Sequence, residues 1–184
     1  MSNQFQFVGG TRGRWAVTRM TTICGDGLEP TGFVDITNAD PPVRPDGAAW
    51  VLCGFTSNLR YATAAEVGAL RAIQPPLDRP EATCAALIPI RKSAAWWDLP
   101  QDERRAIFEE TSHHTAIGLE YLPPIARRLH HCRDLGEPFD FVTWFEFAPE
   151  HAPAFDALLV RLRETQEWRF VEREVEIRLR QTGP

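Results

Sequence analysis

The chain has 184 residues, of which 43% are hydrophobic and 24% charged, and its formal net charge is −5. This composition excludes extensive disorder and predicts, over residues 1–184, one globular unit or two closely packed halves with a substantial hydrophobic core. The acidic balance disfavours nucleic acid as a partner, and no segment approaches the roughly 18 consecutive apolar residues of a membrane span.

The amino terminus and the cysteines favour a cytoplasmic protein. The first residues contain no apolar run of the kind that a signal peptide requires. The cysteines are widely spaced and form neither a C-x-x-C pair nor the C-x-x-C-H signature of covalent haem attachment. We therefore expect reduced thiols at Cys24, Cys53, Cys84 and Cys132.

The first part of the chain predicts three strands and one long loop. The segments FQFV and RWAVTRMTTI are rich in β-branched and aromatic residues, which is typical of strands. A third short apolar strand is predicted over 48–55. Residues 26–47 are rich in Pro, Gly and Asp, and we interpret them as a surface loop.

A helix is predicted next, starting at Ala64. Thr63 and Glu66 have the spacing of a capping box, in which the side chain of each residue bonds the backbone N–H of the other. The helix should end near Gln74, because two prolines follow directly.

A buried strand is predicted over 82–90, and two helices are predicted after it. Residues 98–114 carry acidic residues early and apolar residues at helical spacing, which places the histidine pair at 113 and 114 late on a helix. The second helix begins after the prolines at 123 and 124. It should end at Gly136, since glycine suits the position just past a helix end.

The C-terminal part of the chain predicts a strand, a helix and a strand. Residues 139–147 have apolar side chains on both faces, so this strand should be covered on both sides. Apolar residues at helical spacing follow: Phe155, Leu158, Leu159 and Leu162. In 171–179, apolar residues alternate with glutamates, which predicts one face in water carrying Glu172, Glu174 and Glu176.

Strand, helix and strand thus occur in the same order twice, over 48–90 and over 139–180. This order predicts an α+β fold of two related units. The two units would either share one sheet layer or face each other as a barrel.

The paired histidines do not have the spacing of a zinc site. Neighbouring helical residues point about 100° apart, so His113 and His114 do not readily bind one metal ion, and the same objection applies to His130 and His131. Haem differs, because its porphyrin supplies four nitrogens and needs only one proximal imidazole from the protein. The position of a histidine here, taken alone, is equally consistent with a surface residue or a cation at a helix end.

Large aromatic side chains would provide the walls that a flat macrocycle requires, although core packing explains them as well. Lys92 or Tyr61 would meet the carboxylates of such a group. The aromatic residues concerned are Trp96, Trp97, Phe141, Trp144, Phe145 and Trp168.

Three segments resemble the chlorite dismutase family. In that family a histidine, an arginine thirteen residues later, a run like RDLGEPFDFVTWFEF and a T-x-E-W motif occur in this order. The resemblance covers about residues 48–180, and the short chain resembles the compact, dimeric branch. The segments are AALIPIRKSAAWWDLPQDERRAIFEETSHH, LPPIARRLHHCRDLGEPFDFVTWFEF and LRETQEWRFVEREVEIRL.

The resemblance implies a fold and an activity. The fold is α+β, a dimeric ferredoxin-like barrel with one half over 1–95, a haem-binding half over 96–184, and assembly as a homodimer. The activity is conversion of chlorite to chloride and dioxygen, with the O–O bond formed through a ferryl intermediate and rebound of hypochlorite. A coproheme decarboxylase-like or peroxidase-like haem protein and a non-catalytic haem-binding protein stay open as alternatives.

The resemblance also implies a metal ligand. His114 matches the proximal ligand of a non-covalently bound haem b, and Glu167 matches the acceptor of a hydrogen bond from its other ring nitrogen. A carboxylate partner gives the imidazole more anionic character, which increases its donation to iron. His113 is then a bystander. From the residues alone, Glu167 would be interpreted as a solvated charge.

On the distal side of the haem, the resemblance implies that Arg127 attracts chlorite and stabilises the oxyanion formed from it. Gln74 matches a residue that hydrogen-bonds this arginine, and Thr143 and Phe145 match the distal wall. The neighbouring Arg128 is interpreted as a surface charge.

Around the haem edge and its propionates, the resemblance implies further contacts. An ammonium facing a carboxylate and aromatic rings beside a macrocycle are chemically natural. The same run of sequence also fits a solvated turn followed by core tryptophans. The residues are Tyr61, Ile88, Lys92, Trp96 and Trp97.

Overall fold

The computed structural model describes residues 3–38, 41–56 and 61–183, and within these ranges eight antiparallel strands form a closed barrel. The strands are β1 Gln4–Gly10, β2 Trp15–Cys24, β3 Phe33–Asn38, β4 Ala48–Phe55, β5 Cys84–Lys92, β6 Ala126–His131, β7 Phe141–Phe147 and β8 Val171–Gln181. Around the barrel they follow the order β1-β3-β2-β8-β5-β7-β6-β4.

Five α-helices occur in the same ranges, and none of them is long and apolar enough to cross a membrane. A π-helical turn, Ala106–Thr111, follows the third helix directly, and a 3-10 turn, Glu167–Phe170, precedes β8. The helices are α1 Ala64–Ile73, α2 Ala94–Asp98, α3 Gln101–Arg105, α4 His114–Glu120 and α5 Ala152–Arg163.

The barrel consists of two groups of four neighbouring strands, β1 to β4 and β5 to β8. Their order is β4-β1-β3-β2 in the first group and β8-β5-β7-β6 in the second, so strands that correspond in sequence order take the same relative places. In the second group, α2 to α4 connect β5 to β6 and α5 connects β7 to β8. In the described part of the first group, no helix connects two of its strands. Strand β5 belongs to the second group, although the sequence boundary at 95 assigns it to the first half.

The barrel interior and the outer face of the second group form two separate hydrophobic cores. Strand β7 takes part in both, because its side chains alternate between them. Val142 and Trp144 pack inside the barrel, whereas Phe145 and Phe147 pack outside it against Phe155 of α5. These side chains are all buried, which confirms that the strand is covered on both sides.

Several predicted elements are confirmed. The two N-terminal strands are β1 and β2, residues 48–55 are β4, and the strand predicted over 82–90 is β5. The four cysteines are free. The apolar residues predicted for the last helix are buried on α5: Phe155, Leu158, Leu159 and Leu162.

The capping box of α1 is also confirmed. The Thr63 hydroxyl accepts the Glu66 N–H at 3.3 Å, and the Glu66 carboxylate accepts the Thr63 N–H at 2.6 Å. Glu66 pairs in addition with Arg105 at 2.7 Å, which ties the first turn of α1 to the end of α3. Gln74 caps the other end, as predicted.

The prediction of a loop over 26–47 is wrong for its middle part, which contains β3. This strand pairs with both β1 and β2, and its residues Val34 and Ile36 pack into the barrel. Prolines, glycines and aspartates stand on both sides of the strand, and they dominated the composition from which a loop was predicted.

The prediction of a helix ending at Gly136 is wrong, because Ala126–His131 is strand β6. It pairs along its length with β7, and His131 lies opposite Phe55 of β4. Closure of the barrel supplies hydrogen-bonded partners on both sides, and this overrides the local helical propensity of the segment. Gly136 has a φ of 73°, but it ends a 3-10 turn.

The prediction of one helix over 98–114 is wrong in its second half. Helix α3 continues into the π-helical turn, after which His113 adopts φ 52° and ψ 36°. A residue in this left-handed conformation does not continue a right-handed helix. A new helix, α4, therefore begins at His114, which lies at a helix start and not late on a helix.

The prediction of a wet glutamate face on β8 is wrong for Glu174 and Glu176, which are 0% and 3% exposed. Arg163 of α5 hydrogen-bonds both carboxylates. Buried charges persist where ionic partners compensate them, and such partners depend on tertiary structure. Glu172 is exposed as expected and pairs with Arg91.

Candidate functional site

A cavity lies between the outer face of the second strand group and the helices α4 and α5. It encloses about 1210 Å³, its open mouth included, and its lining is mainly apolar. The strand register orders the sheet wall into rows, with Arg127 at one end and His131 at the other. The rows are Arg127 and Phe145, then Leu129, Thr143 and Ile88, then His131, Phe141 and Ile90.

Most of the predicted site residues line this cavity, although they are far apart in sequence. Two do not: Gln74 and Trp97 lie outside the lining. The predicted residues that line the cavity are Tyr61, Ile88, Lys92, Trp96, His114, Arg127, Thr143, Phe145 and Glu167.

His114 stands on the helix wall of the cavity, bound to a buried carboxylate. Its Nδ1 lies 2.7 Å from Oε2 of Glu167, and its ring stacks on Phe108 at a centroid distance of 4.4 Å. Because the carboxylate accepts, Nδ1 carries the proton and Nε2 keeps the lone pair that binds a metal ion. His113 is exposed, as a bystander should be.

Two neighbours of His114 explain why it is held in this place. The buried Glu109 of the π-helical turn accepts the backbone N–H groups of Thr115 and Ala116 at 2.6 and 3.2 Å, and so caps the start of α4. The Ser112 hydroxyl accepts the N–H of Glu167 at 2.9 Å. The loop before the histidine and the turn that carries its carboxylate are thereby fixed to each other.

Lys92 completes this arrangement in a way that the sequence did not predict. Its ammonium lies 2.7 Å from Oε1 of Glu167 and 4.7 Å from the ring centroid of Trp96, and the side chain is 4% exposed. A carboxylate of the protein is therefore the partner of Lys92 in this structure, and the contact of Lys92 with haem carboxylates stays a prediction. Burial alone would raise the pKa of Glu167, but its interactions with His114 and with the Lys92 ammonium lower it to about 2.

Arg127 projects from the sheet wall into the cavity. Burial lowers the pKa of its guanidinium, but arginine has such a high ordinary pKa that the group stays charged. Its Nε has no partner within the described ranges. The side-chain amide of Gln74 donates to the backbone carbonyl of Arg127 at 2.8 Å. Gln74 therefore hydrogen-bonds this arginine, as implied, but through the main chain.

Trp97 lies behind the cavity wall. Its Nε1 donates to Asp140 at 3.1 Å, and its ring stacks on the cavity residue Phe141 at 6.0 Å. Asp140 also accepts the backbone N–H of Lys92 at 2.7 Å. Trp97 thus supports the strand ends that carry the site, whereas Trp96 is in the lining itself.

Sequence reasoning missed several residues of the cavity. Leu129 and His131 were hidden because β6 was taken for a helix, and a period of two would have placed both beside Arg127. His130 points the other way, into the barrel, where burial lowers its pKa to about 4. Phe108, Tyr121, Leu158, Leu159 and Leu162 also line the cavity, and the helical spacing indicated only that such residues are buried.

The residues present fit a haem better than a metal ion held by protein ligands alone. In the described ranges, no cluster of three or more His, Cys, Asp or Glu side chains has the arrangement of a metal site. A single imidazole with a free Nε2 suffices for a porphyrin. The cavity is large and apolar, and the Tyr61 hydroxyl and Arg127 Nε, both buried, have no partners in the described part of the chain. Such groups suit a flat ligand with anionic substituents.

The outer sheet face of the barrel and the helices enclose an apolar cavity, which contains one imidazole bound to a carboxylate. These features define a class of proteins suited to a large planar cofactor. Comparison with known families specifies the class further. The family model described as chlorite dismutase matches residues 48–181. The chain therefore belongs to the chlorite dismutase family.

Similar proteins agree with this assignment. The crystal structure of dimeric chlorite dismutases from Nitrobacter winogradskyi is 52% identical and has a TM-score of 0.90, with 97% of this chain and 99% of that chain covered. A chlorite dismutase variant from Candidatus Nitrospira defluvii is 28% identical with a TM-score of 0.60, and the match covers 73% of this chain and 56% of that chain.

A chlorite dismutase from Ideonella dechloratans is 34% identical over 83 residues, which are 45% of this chain. The match spans only 27% of the length of that relative.

Proposed function

We propose that the protein is a haem b enzyme that converts chlorite to chloride and dioxygen. The observation that carries the proposal is the contact of 2.7 Å between His114 and the buried Glu167, on the wall of a cavity whose sheet side holds Arg127. The similarity to proteins named chlorite dismutase supports the same reaction.

His114 would hold the haem iron through Nε2. When bound, the haem supplies the redox chemistry by which both oxygens of chlorite leave as dioxygen and chlorine leaves as chloride. Glu167 keeps the proton of His114 on Nδ1 and increases the donor strength of the imidazole. Lys92 keeps Glu167 ionised in a buried place, since it compensates the charge.

Arg127 attracts the chlorite anion and retains anionic fragments inside the cavity until the reaction is complete. It is suited to this task because its charge is permanent and its wall neighbours are apolar. Phe145, opposite Arg127 on β7, and Leu129, opposite Thr143 on β6, would limit the access of water, so that the attraction between guanidinium and anion is little screened. Retention protects the protein from a released oxidant.

The other predicted site residues support His114 and Arg127 through different contacts in this proposal. Gln74 hydrogen-bonds the backbone carbonyl of Arg127 and so fixes the main-chain position from which the arginine side chain extends. Tyr61, Ile88 and Trp96 would contact the haem from the lining. Trp97 would act through Phe141, behind the wall.

We further propose that the barrel consists of two ferredoxin-like halves and that the protein is a homodimer. The identical strand order of the two groups supports the repeat, and it favours a boundary between β4 and β5 over one at residue 95. The name of the dimeric Nitrobacter proteins supports the dimer. A cytoplasmic location stays a prediction, in keeping with four free cysteines.

The proposal is tested by oxygen evolution from chlorite, measured with an oxygen electrode on haem-loaded protein. Arg127→Ala should lower turnover about 100-fold, the order expected when a charged donor to an oxyanion is removed. Arg127→Lys is the matched control, because it keeps the charge, and it should retain more activity and bleach later. A wild type that binds haem but bleaches in chlorite without releasing oxygen would exclude the proposal and favour a peroxidase-like role.

A further inference from the structure

Trp168 follows Glu167 directly and joins the His114 site to a second buried carboxylate. Its Nε1 donates to Oε2 of Glu174 at 2.8 Å. Its ring lies nearly parallel to that of His114, at an interplanar angle of 17° and a centroid distance of 6.2 Å. The ammonium of Lys92 lies 5.4 Å from the same indole centroid. The indole thus contacts an anion at its edge and a cation near its ring.

Glu174 lies outside the cavity but is completely buried on the outer face of β8. Its Oε1 accepts two hydrogen bonds from Arg163, at 3.0 and 2.6 Å, while Oε2 binds the indole. Arg163 also bonds the neighbouring Glu176 at 2.7 Å. The two glutamates therefore share one arginine, but the hydrogen bond to Trp168 belongs to Glu174.

A carboxylate that accepts an indole N–H pushes electron density into the ring. The ring face becomes more negative, and its electrostatic attraction for a nearby cation increases. The cation here is Lys92, which also binds Oε1 of Glu167. Glu174 therefore influences how strongly Trp168, beside Trp96 and Glu167, attracts the Lys92 charge.

We propose that Glu174 is a positioning residue of the haem site, acting through Trp168 on Lys92 and, through Lys92, on the hydrogen bond between Glu167 and His114. When the indole attracts Lys92 strongly, Lys92 neutralises less of the Glu167 charge, and Glu167 accepts a stronger hydrogen bond from His114. When this attraction weakens, Lys92 moves toward Glu167 and the imidazole loses anionic character. The inference rests on the proposed role of His114 as haem ligand.

The experiment measures the reduction potential of the haem-loaded protein. Glu174→Gln keeps an acceptor for the indole but removes the charge, and Trp168→Phe keeps an aromatic ring but removes the N–H. Each change should shift the potential to more positive values, because a less anionic imidazole stabilises ferric iron less. The double variant should show the shift of Trp168→Phe alone, since Glu174 acts through the indole.

Glu176→Gln is the matched control. Glu176 is also buried and bonds the same Arg163, and in addition it binds Arg19 and Arg178, but it does not hydrogen-bond Trp168. Its change to Gln should destabilise the protein at least as much as Glu174→Gln and leave the potential unchanged. The proposal would be overturned if Glu174→Gln and Glu176→Gln shifted the reduction potential equally. It would also be overturned if Glu174→Gln caused its full shift of the potential in the Trp168→Phe variant. Either result would indicate a general effect of charge.

A second readout uses the haem-free protein. The indole N–H resonance of Trp168, assigned in an NMR spectrum, should move upfield in Glu174→Gln and stay in place in Glu176→Gln. If Glu174→Gln does not fold, Glu174→Asp replaces it, because it keeps the charge near Arg163 but is too short to reach the indole. A wild type without a haem spectrum would refute the function, whereas a haem spectrum with unshifted variants would refute only this inference.

Discussion

At the scale of single residues, the site depends on one buried carboxylate between two hydrogen-bonding partners, of which Lys92 is the cation. Glu167 is 3% exposed and directs one oxygen to His114 and the other to Lys92. A buried charge that loses its partner costs far more than a surface ion pair contributes. The lysine therefore serves the stability of the fold and the geometry of the histidine together.

Lys92→Met should lower the free energy of unfolding by about 3 kcal/mol at neutral pH, because it leaves Glu167 buried without its main cation. Urea unfolding measures this change. The double variant Lys92→Met, Glu167→Gln should recover part of the loss, since no unpaired charge then remains. Equal stability of the single and double variants would contradict this account of the pair.

His114→Ala should abolish the haem absorption spectrum of the purified protein, because the cavity then offers no imidazole to the iron. Added imidazole should restore part of the spectrum. The control is His113→Asn, which removes the neighbouring imidazole while asparagine tolerates the left-handed conformation at this position. Haem binding in this control should equal that of the wild type. A loss of haem binding in His113→Asn would show that His113 is needed for it and would contradict the assignment of His114 as the ligand.

At the scale of elements, short helices and turns position the site more than long ones do. Helix α4 begins at His114 because the left-handed residue His113 follows the π-helical turn, and Glu109 then caps the new helix. Helix α1 is attached mainly by polar contacts at its ends, since Leu70 is its only buried residue in the described ranges. Its first turn depends on Glu66 and Arg105.

Glu66→Gln should destabilise the protein by about 1 kcal/mol at neutral pH, because it weakens both the capping box and the ion pair with Arg105. The hydrogen bonds from Arg105 lower the pKa of Glu66 from 4.5 to about 2. Since the folded-state pKa is lowered, this contribution is complete above about pH 4.5 and is lost as the pH falls toward 2.

Chemical denaturation of both proteins across this pH range measures the effect. The difference in unfolding free energy between wild type and Glu66→Gln should shrink as the pH decreases. A difference that is constant with pH would show that the ion pair contributes nothing.

At the scale of the whole molecule, barrel closure depends on close contacts inside the first strand group. An added Cβ at Gly9 of β1 would lie 2.2 Å from Cε2 of Trp50 on β4. These two strands are paired, and Trp50 is in the barrel core. Glycine is therefore required here by packing, in a segment where its φ is not unusual.

Gly9→Ala should destabilise the protein by about 2 kcal/mol, since the indole of Trp50 has to move within a packed interior. Thermal or urea unfolding measures the loss. Gly68→Ala is the control, because Gly68 is exposed in α1 and an added Cβ meets nothing within 4 Å. This variant should be as stable as the wild type or up to about 1 kcal/mol more stable. Equal effects of the two changes would contradict the packing argument.

The sequence predicted well those elements whose signal is local. The capping box of α1, the apolar stripe of α5 and the two-sided strand β7 each follow from side chains within a few residues of one another. Segments whose structure depends on distant partners were predicted wrongly. β6 was taken for a helix because its pairing with β7 and β4 is not visible in its own residues.

The same distinction holds for the candidate site. By itself, the sequence determined the α+β class and the motif resemblance, because these depend on residue type and spacing, and the resemblance in turn implied the candidate residues His114, Glu167 and Arg127. Only the tertiary structure decided that Lys92 binds Glu167, that Gln74 holds the Arg127 backbone, and that Glu174 is buried. Burial and ion pairing join residues far apart in the chain, and therefore no local pattern encodes them.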